Sequence, residues 1–197
     1  MEHKMADAAS VSLTMGSTMV SDDATEHSST WRSIYEKNWP WVYRLVRRLG
    51  GQDVDAEDVT QDVFVAVYRK LPEFEGRSKL ETWIYRICCN IVSEHRRRAW
   101  RRRRLSAALH VSNLWRPHRP AERQVMARRE LEIARDLLSR LDERKRQVFV
   151  LRELEELSGA EVAEILDIPE ATVRTRLFHA RKEFLELLSK AGLEVQS

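Results

Sequence analysis

Apolar residues begin to recur at helical spacing at Trp31 and continue through Ile34, Val42, Leu45, Val46 and Leu49. Intervals of three and four put such side chains on one helix face. Pro40 falls inside the run and predicts a kink or a fresh helix start, because proline donates no internal hydrogen bond. Gly50-Gly51 predicts the end of that helix. A second helix opens at Asp53–Asp55, where carboxylates suit both the cap and the helix dipole. Its buried stripe is Val59, Val63, Ala66, Val67 and Leu71, and Pro72 stops it. A short polar loop, Glu73 to Lys79, leads into a third helical stretch. That stretch buries Trp83, Ile84, Ile87, Cys88 and Ile91 and runs on into HRRRAWRRRR.

Residues 105–125 break the pattern with Pro117, Pro120 and scattered arginines, which reads as a linker. Four further helical patterns follow. They carry Leu131, Ala134, Leu138 and Leu141; then Val148, Leu151, Leu154 and Leu157; then Val162, Ala163 and Leu166; and last Val173, Leu177, Ala180, Phe184 and Leu188. No segment alternates with period two long enough to suggest a sheet. The expected fold is all-α: two small helical domains joined by a flexible linker, the C-terminal one containing a helix-turn-helix. Residues 1–30, rich in Ser, Thr, Met and Ala without helical period, read as a disordered extension. The expected division is 1–30, a first domain over 31–104, a linker over 105–127 and a second domain over 128–197.

Composition narrows the class. The chain has 197 residues, 43% hydrophobic and 33% charged, with only 6 Gly and 5 Pro, which suits a soluble, mostly helical protein. Cys88 and Cys89 are adjacent in an apolar run, an arrangement that suits neither a bridge nor a zinc site and points to a reducing cytoplasm. No apolar stretch approaches a membrane span, and the start lacks the pattern of an export signal, so no membrane insertion is expected. The net charge of +3 averages over strongly opposed patches.

The segment SGAEVAEILDIPEATVRTRLFHARKEF carries the sharpest signal. Two short helices meet at Asp167-Ile168-Pro169. Ala163 supplies the small residue where the helices approach, and Val173, ten residues on, closes their core. Asp167 occupies a turn position where glycine is common, and Asp tolerates the left-handed backbone there. On the last helix Val173, Leu177, Ala180 and Phe184 point inward, leaving Arg174, Thr175, Phe178, Arg181 and Lys182 outward. A basic stripe with an exposed Phe suits the major groove, where Arg reads guanine edges and apolar atoms touch thymine methyls. A merely solvated charged face is the competing account.

The first domain shows two opposed faces. Residues 53–62 hold five acids, Asp53, Asp55, Glu57, Asp58 and Asp62, and no base. The outward stripe Asp58, Gln61, Asp62, Val65 and Tyr68 mixes acids with apolar groups, as a protein-binding face does, although taken alone it better suits ordinary solvated surface. Residues 86–104 invert the charge, with eight arginines against one acid, Glu94. Such a run repels itself unless an anion neutralises it, and nucleic acid is the natural partner; a tail serving solubility alone is the alternative. The face opposite the buried stripe reads Arg86, Asn90, Ser93 and Arg97, a polar track suited to bases and phosphates together. Trp100 lies inside the arginine run, placed either to stack on a base or to anchor the helix end.

Taken together, DAEDVTQDVFVAVYRKL, FEGRSKLETWIYRICCN and LRELEELSGAEVAEILDIPEATVRTRLFHAR resemble the sigma-70 family, and within it the small extracytoplasmic-function sigma factors. The resemblance covers about residues 34–104 and 128–189. It implies that the acidic helix docks on the clamp helices of the largest subunit of core RNA polymerase through Asp55, Glu57, Asp58, Gln61, Asp62 and Tyr68. It implies that the loop after Pro72 and the next helix take the −10 element as a single strand, with a flipped base held by Phe74 and Asn90. The helix-turn-helix would read the −35 element as duplex promoter DNA through Arg152, Arg174, Thr175, Arg176 and Phe178, with Thr172 and Arg181 completing the set. The linker would thread through the polymerase, and its lack of acidic residues departs from larger family members. An anti-sigma factor is the further partner implied.

No catalytic constellation competes: the chain has no glycine-rich phosphate loop, and its six histidines lack metal spacing. The expectation is no enzyme, no cofactor and no metal, with nucleotide polymerisation left to the partner. A repressor or activator with a similar helix-turn-helix would need a sensing domain, and the first hundred residues show neither a ligand pocket nor a phosphoacceptor site. An RNA-binding anti-termination protein would explain the basic helix but leave the acidic face idle.

Overall fold

The computed structural model describes residues 20–52, 54–108 and 125–192, and every regular element among them is helical. By internal contacts the chain divides after Lys37. In the first unit the described part is helical, and the rings of Trp31 and Tyr35 lie 6.2 Å apart. Helix α1 spans Val20–Gly50, so it begins well ahead of Trp31 and takes in the end of the segment expected to be disordered. No Gly or Pro interrupts residues 20–30, and a helix propagates there without an apolar stripe to reveal it. It also continues through Pro40, so of the two expected alternatives, a kink or a fresh start, the fresh start does not occur; Pro40 is exposed and its missing hydrogen bond falls on the solvent side.

From Asn38 onward the elements pack as one unit. Val42, Leu45 and Val46 of α1 are fully buried. The helix ends where Gly51 takes φ 64, and its N–H reaches the Arg47 carbonyl at 3.3 Å. The chain then folds back so closely that a Cβ on Gly50 would collide with the Val54 side chain. Helix α2 (Ala56–Lys70) is capped by Asp55, whose carboxylate accepts from the N–H groups of Glu57 and Asp58 at 2.9 and 3.1 Å. It buries Val59, Thr60, Val63, Phe64 and Val67, while Ala66 and Leu71 are half-buried. Phe64 stacks on Trp39 at 5.5 Å. A 3-10 turn, Leu71–Glu73, leads to α3 (Leu80–Ala108).

Helix α3 buries Ile84, Ile87, Cys88, Cys89 and Val92. Both thiols are free and enclosed. Burial, with Glu155 and the neighbouring thiol adding to it, pushes Cys88 well above its ordinary value. Burial, with a smaller contribution from Glu155, lifts Cys89 to about 12.

The second group of helices comprises α4 (Val125–Arg140), α5 (Glu143–Phe149) running into a π-helical turn (Val150–Leu154), α6 (Gly159–Leu166) and α7 (Glu170–Lys190). Leu138, Leu141, Phe149 and Ala180 form a core with Phe184 and Leu187 packed against it. Leu154, expected in a buried stripe, is 36% exposed because the π-turn shifts its register. Arg146 is only 1% exposed, and its guanidinium donates to the Ser139 and Leu141 carbonyls at the end of α4. Most of the expected linker, residues 109–124, lies outside the described residues, as do Asp53 and residues 1–19.

Candidate nucleic-acid interface

Helices α6 and α7 form the expected helix-turn-helix. Ser158 starts α6 with a capping box: its hydroxyl accepts from the Glu161 N–H, and the Glu161 carboxylate accepts from the Ser158 N–H at 2.9 Å. Those hydrogen bonds hold Glu161 below the usual carboxylate range. Asp167 closes α6 in the left-handed conformation, φ 52 and ψ 54. Pro169 caps α7 through its carbonyl, which accepts from Thr172 and Val173 at 2.8 and 3.2 Å. Val162, Ile165, Val173 and Leu177 are buried between the two helices.

This packing turns Arg174, Thr175, Phe178, Arg181 and Lys182 outward, with Phe178 66% exposed. A large aromatic left this open, between cations, is unusual for ordinary solvated surface. The cations are held by local acids: Arg174 by Glu170 at 3.1 Å and Arg181 by Glu153 at 2.8 Å. The Thr175 hydroxyl donates to the Ala171 carbonyl. Thr172 and Arg176 are half-buried at the edge of this face. Arg152, also half-buried, donates to the Leu157 carbonyl and bends over the loop before α6.

On α2, Asp58, Gln61, Asp62, Val65 and Tyr68 all face outward, Val65 at 47% and Tyr68 at 58% exposure. Asp55 and Glu57 are exposed at its amino end, and Asp62 is joined to His95 of α3 at 2.9 Å.

The polar track on α3 is placed differently from the periodicity. Asn90 is exposed, but Ser93 is 6% exposed, and its hydroxyl accepts from Gln147 Nε2 at 2.9 Å. Arg86 donates to the Glu164 carbonyl at 2.5 Å, and Arg97 lies 3.8 Å from Glu143. Part of the face that turns away from the first core is met by the second group of helices, which buries Ser93 and leaves Arg86, Asn90 and Arg97 exposed. Phe74 is half-buried against Trp83, their rings 5.1 Å apart, and Asn90 lies about 10 Å farther along α3 than Trp83. Trp100 is 53% exposed with the Arg104 guanidinium 4.7 Å above its ring, so it does not anchor the helix end in a core.

Sequence reasoning did not single out Arg48, Tyr85, Gln147 and Glu155. The Glu155 carboxylate accepts from Arg48 at 2.5 Å and from the Tyr85 hydroxyl at 3.2 Å. Burial and that carboxylate raise Tyr85 well above the usual phenol range. Partners 107 and 70 residues apart leave no mark on local periodicity. Among the described residues no helix is long and apolar enough to cross a membrane.

Two family models match the chain, Sigma-70 region 2 over residues 34–102 and Sigma-70, region 4 over residues 131–184. The ECF RNA polymerase sigma-E factor of Escherichia coli (strain K12) is 36% identical over 137 residues, covering 65% of this chain and 71% of that protein. The solved structure of CnrH in complex with the cytosolic domain of CnrY superposes with TM-score 0.62 at 24% identity, covering 85% of this chain and 94% of that one. The sigma factor RpoE in complex with the anti-sigma factor NepR, from Bartonella quintana, gives TM-score 0.59 at 23% identity, covering 79% and 96%. These two solved chains share the fold.

Proposed function

Because the chain belongs to the sigma-70 family, in its extracytoplasmic-function group of alternative sigma factors that direct transcription initiation, we propose that it divides three recognition tasks among three helices. Helix α2 docks on the clamp helices of core RNA polymerase through Asp55, Glu57, Asp58, Gln61, Asp62 and Tyr68. Helix α3 and the loop before it take the −10 element as a single strand, with Arg86, Asn90, Ser93 and Arg97 along the strand and Phe74 with Asn90 on a flipped base. Helix α7 reads the −35 element as duplex through Arg174, Thr175, Phe178 and Arg181, with Arg152, Thr172 and Arg176 at its border. The domains assigned to these tasks are 31–104 and 128–197, with 105–127 threading the polymerase between them.

The observation that carries this reading is the outward face of α7. An exposed Phe178 flanked by arginines, behind a left-handed turn at Asp167, has the composition that base-edge recognition needs. The chain supplies address and strand opening, polymerisation belongs to the partner, and the place of work is the cytoplasm, where the polymerase is. A partner of the anti-sigma class follows from the complex of the same fold with NepR. Run-off transcription from a randomised promoter library tests the whole reading. Added to core polymerase, the protein selects promoters sharing two spaced elements. Binding DNA while only blocking transcription would make it a repressor instead.

A further inference from the structure

The outward face of α7 begins with an acid. Glu170 is the first residue of the helix, and Arg174 stands one turn on, exposed like it. The Glu170 carboxylate accepts from Arg174 Nη1 at 3.1 Å through Oε1. A carboxylate at the front of a DNA-binding face carries a cost, because it repels the phosphates that the arginines attract.

Helix chemistry accounts for part of its presence. An acid in the first turn suits the dipole, and a Glu four residues before an Arg supports the helix. Neither effect dictates where the carboxylate rests. A Cβ on Gly159 would stand 3.0 Å from Glu170 Oε1, 3.4 Å from its Cγ and 3.5 Å from its Cδ. The side chain is thus laid back across the turn onto the start of α6, where glycine leaves it room. That seat lies at the positive end of a second helix dipole. Oε1 is the same atom in both contacts, so Glu170 touches α6 at Gly159 and α7 at Arg174 while its side chain stays 51% exposed.

We propose that Glu170 is a positioning residue for the −35 element, holding the Arg174 guanidinium in the orientation that reads one guanine. The proposal rests on the assignment of α7 to the −35 duplex. The Arg174 side chain is 70% exposed. A long side chain left that open samples many rotamers, and a base edge accepts few of them. Glu170 takes one of the five guanidinium N–H donors and leaves the rest of the fork for guanine O6 and N7. Its charge also weakens the pull of Arg174 on phosphates at every sequence alike. Discrimination rises while general affinity falls.

The test uses the full chain assembled with core RNA polymerase. Competition binding is measured on duplexes with the −35 element substituted pair by pair, against a random duplex. Arg174→Ala identifies the base pair this residue reads. Glu170→Ala should lose about three- to tenfold of the preference at that same pair, part of what a bidentate arginine contact supplies, and should bind the random duplex more tightly. Glu170→Gln keeps an acceptor oxygen without the charge and should keep most of the preference. In the Arg174→Ala background, Glu170→Ala should change no preference further. Melting temperatures accompany each variant, because losing a first-turn acid also weakens the helix. Equal loss of preference for Gln and Ala would overturn the positioning role, since the charge would then act through its field alone. Uniform tightening on every duplex with the preference intact would overturn it too. A changed preference at a different pair would make Glu170 itself a reader, of a cytosine amino group, and would count against positioning equally. If Arg174→Ala relaxes no pair, the assignment of α7 fails and takes the proposal with it. If it relaxes one that Glu170→Ala leaves intact, the positioning role alone fails.

Discussion

Replacing Asp55 by Ala removes two things at once, a helix cap and a surface charge, and a short series of variants separates them. The Asp55 carboxylate accepts from the Glu57 and Asp58 N–H groups, so its loss leaves two donors at the start of α2 to water. The cap contributes about 1 kcal/mol, within a range of roughly 0.5–2. The negative charge at the positive end of the helix dipole adds about 0.3–1 kcal/mol. Asp55→Ala should therefore lower unfolding stability by about 1–2 kcal/mol. Asp55→Ser keeps the cap and should lose only the charge part. Asp58→Ser, on an exposed residue whose side chain caps nothing, should cost little more than the dipole share. Against core polymerase the order changes. An exposed charge pair contributes about 0.4–1 kcal/mol, so Asp55→Ser and Asp58→Ser should each weaken binding about two- to fivefold. Urea unfolding followed by circular dichroism reads the first quantity, and titration of labelled core polymerase reads the second. Equal stability loss for Asp55→Ser and Asp55→Ala would refute the cap argument. Wild-type polymerase affinity for Asp55→Ser would reduce Asp55 to a structural residue.

Arg174→Ala should cost about 1–3 kcal/mol at one −35 base pair and relax the preference there, and Phe178→Ala should lose discrimination at a neighbouring position, both read by competition binding on duplexes substituted pair by pair. Uniform weakening on all sequences would assign both residues to the backbone instead. Phe74→Ala should erase preference at one base of the −10 strand; because the ring also packs on Trp83, a melting temperature must accompany the measurement, and a large drop with equal loss on every oligonucleotide would make Phe74 a loop anchor only. Cys89, lifted from 9.0 to about 12 by burial, should react with iodoacetamide at pH 8 roughly a thousandfold more slowly in the native protein than in urea, as its thiolate fraction falls. Native-state labelling at the unfolded rate would show that α3 is not closed over its thiols.

Much of the local architecture was legible before any coordinates. The stripes of α2 and α7, the stop at Pro72 and the helix-turn-helix follow from intervals of three and four and from turn chemistry. Asp167 adopts the left-handed backbone its position required. The outward sets Asp58, Gln61, Asp62, Val65, Tyr68 and Arg174, Thr175, Phe178 are the complements of those stripes. A helix without an apolar stripe leaves no periodic signal in the sequence, and the first turns of α1 from Val20 are of that kind. A charged residue drawn into a core is equally invisible, and Arg146 is buried because it satisfies carbonyls at the end of a different helix.

The amino-acid sequence by itself determined which residues form helices, which side of each turns from its nearest core, and the family to which the motifs belong. Those are properties of neighbours a few positions apart, set by the helical repeat and by capping groups within reach. Only the tertiary structure decided what meets the other side. Periodicity turns Ser93 and Arg86 away from the first core, and the fold then gives them to Gln147 and Glu164. It joins Glu155 to Arg48 and Tyr85 across 107 and 70 residues. Such pairings depend on how two packed groups of helices meet in space, and a polar face has the same sequence pattern whether water or another domain covers it.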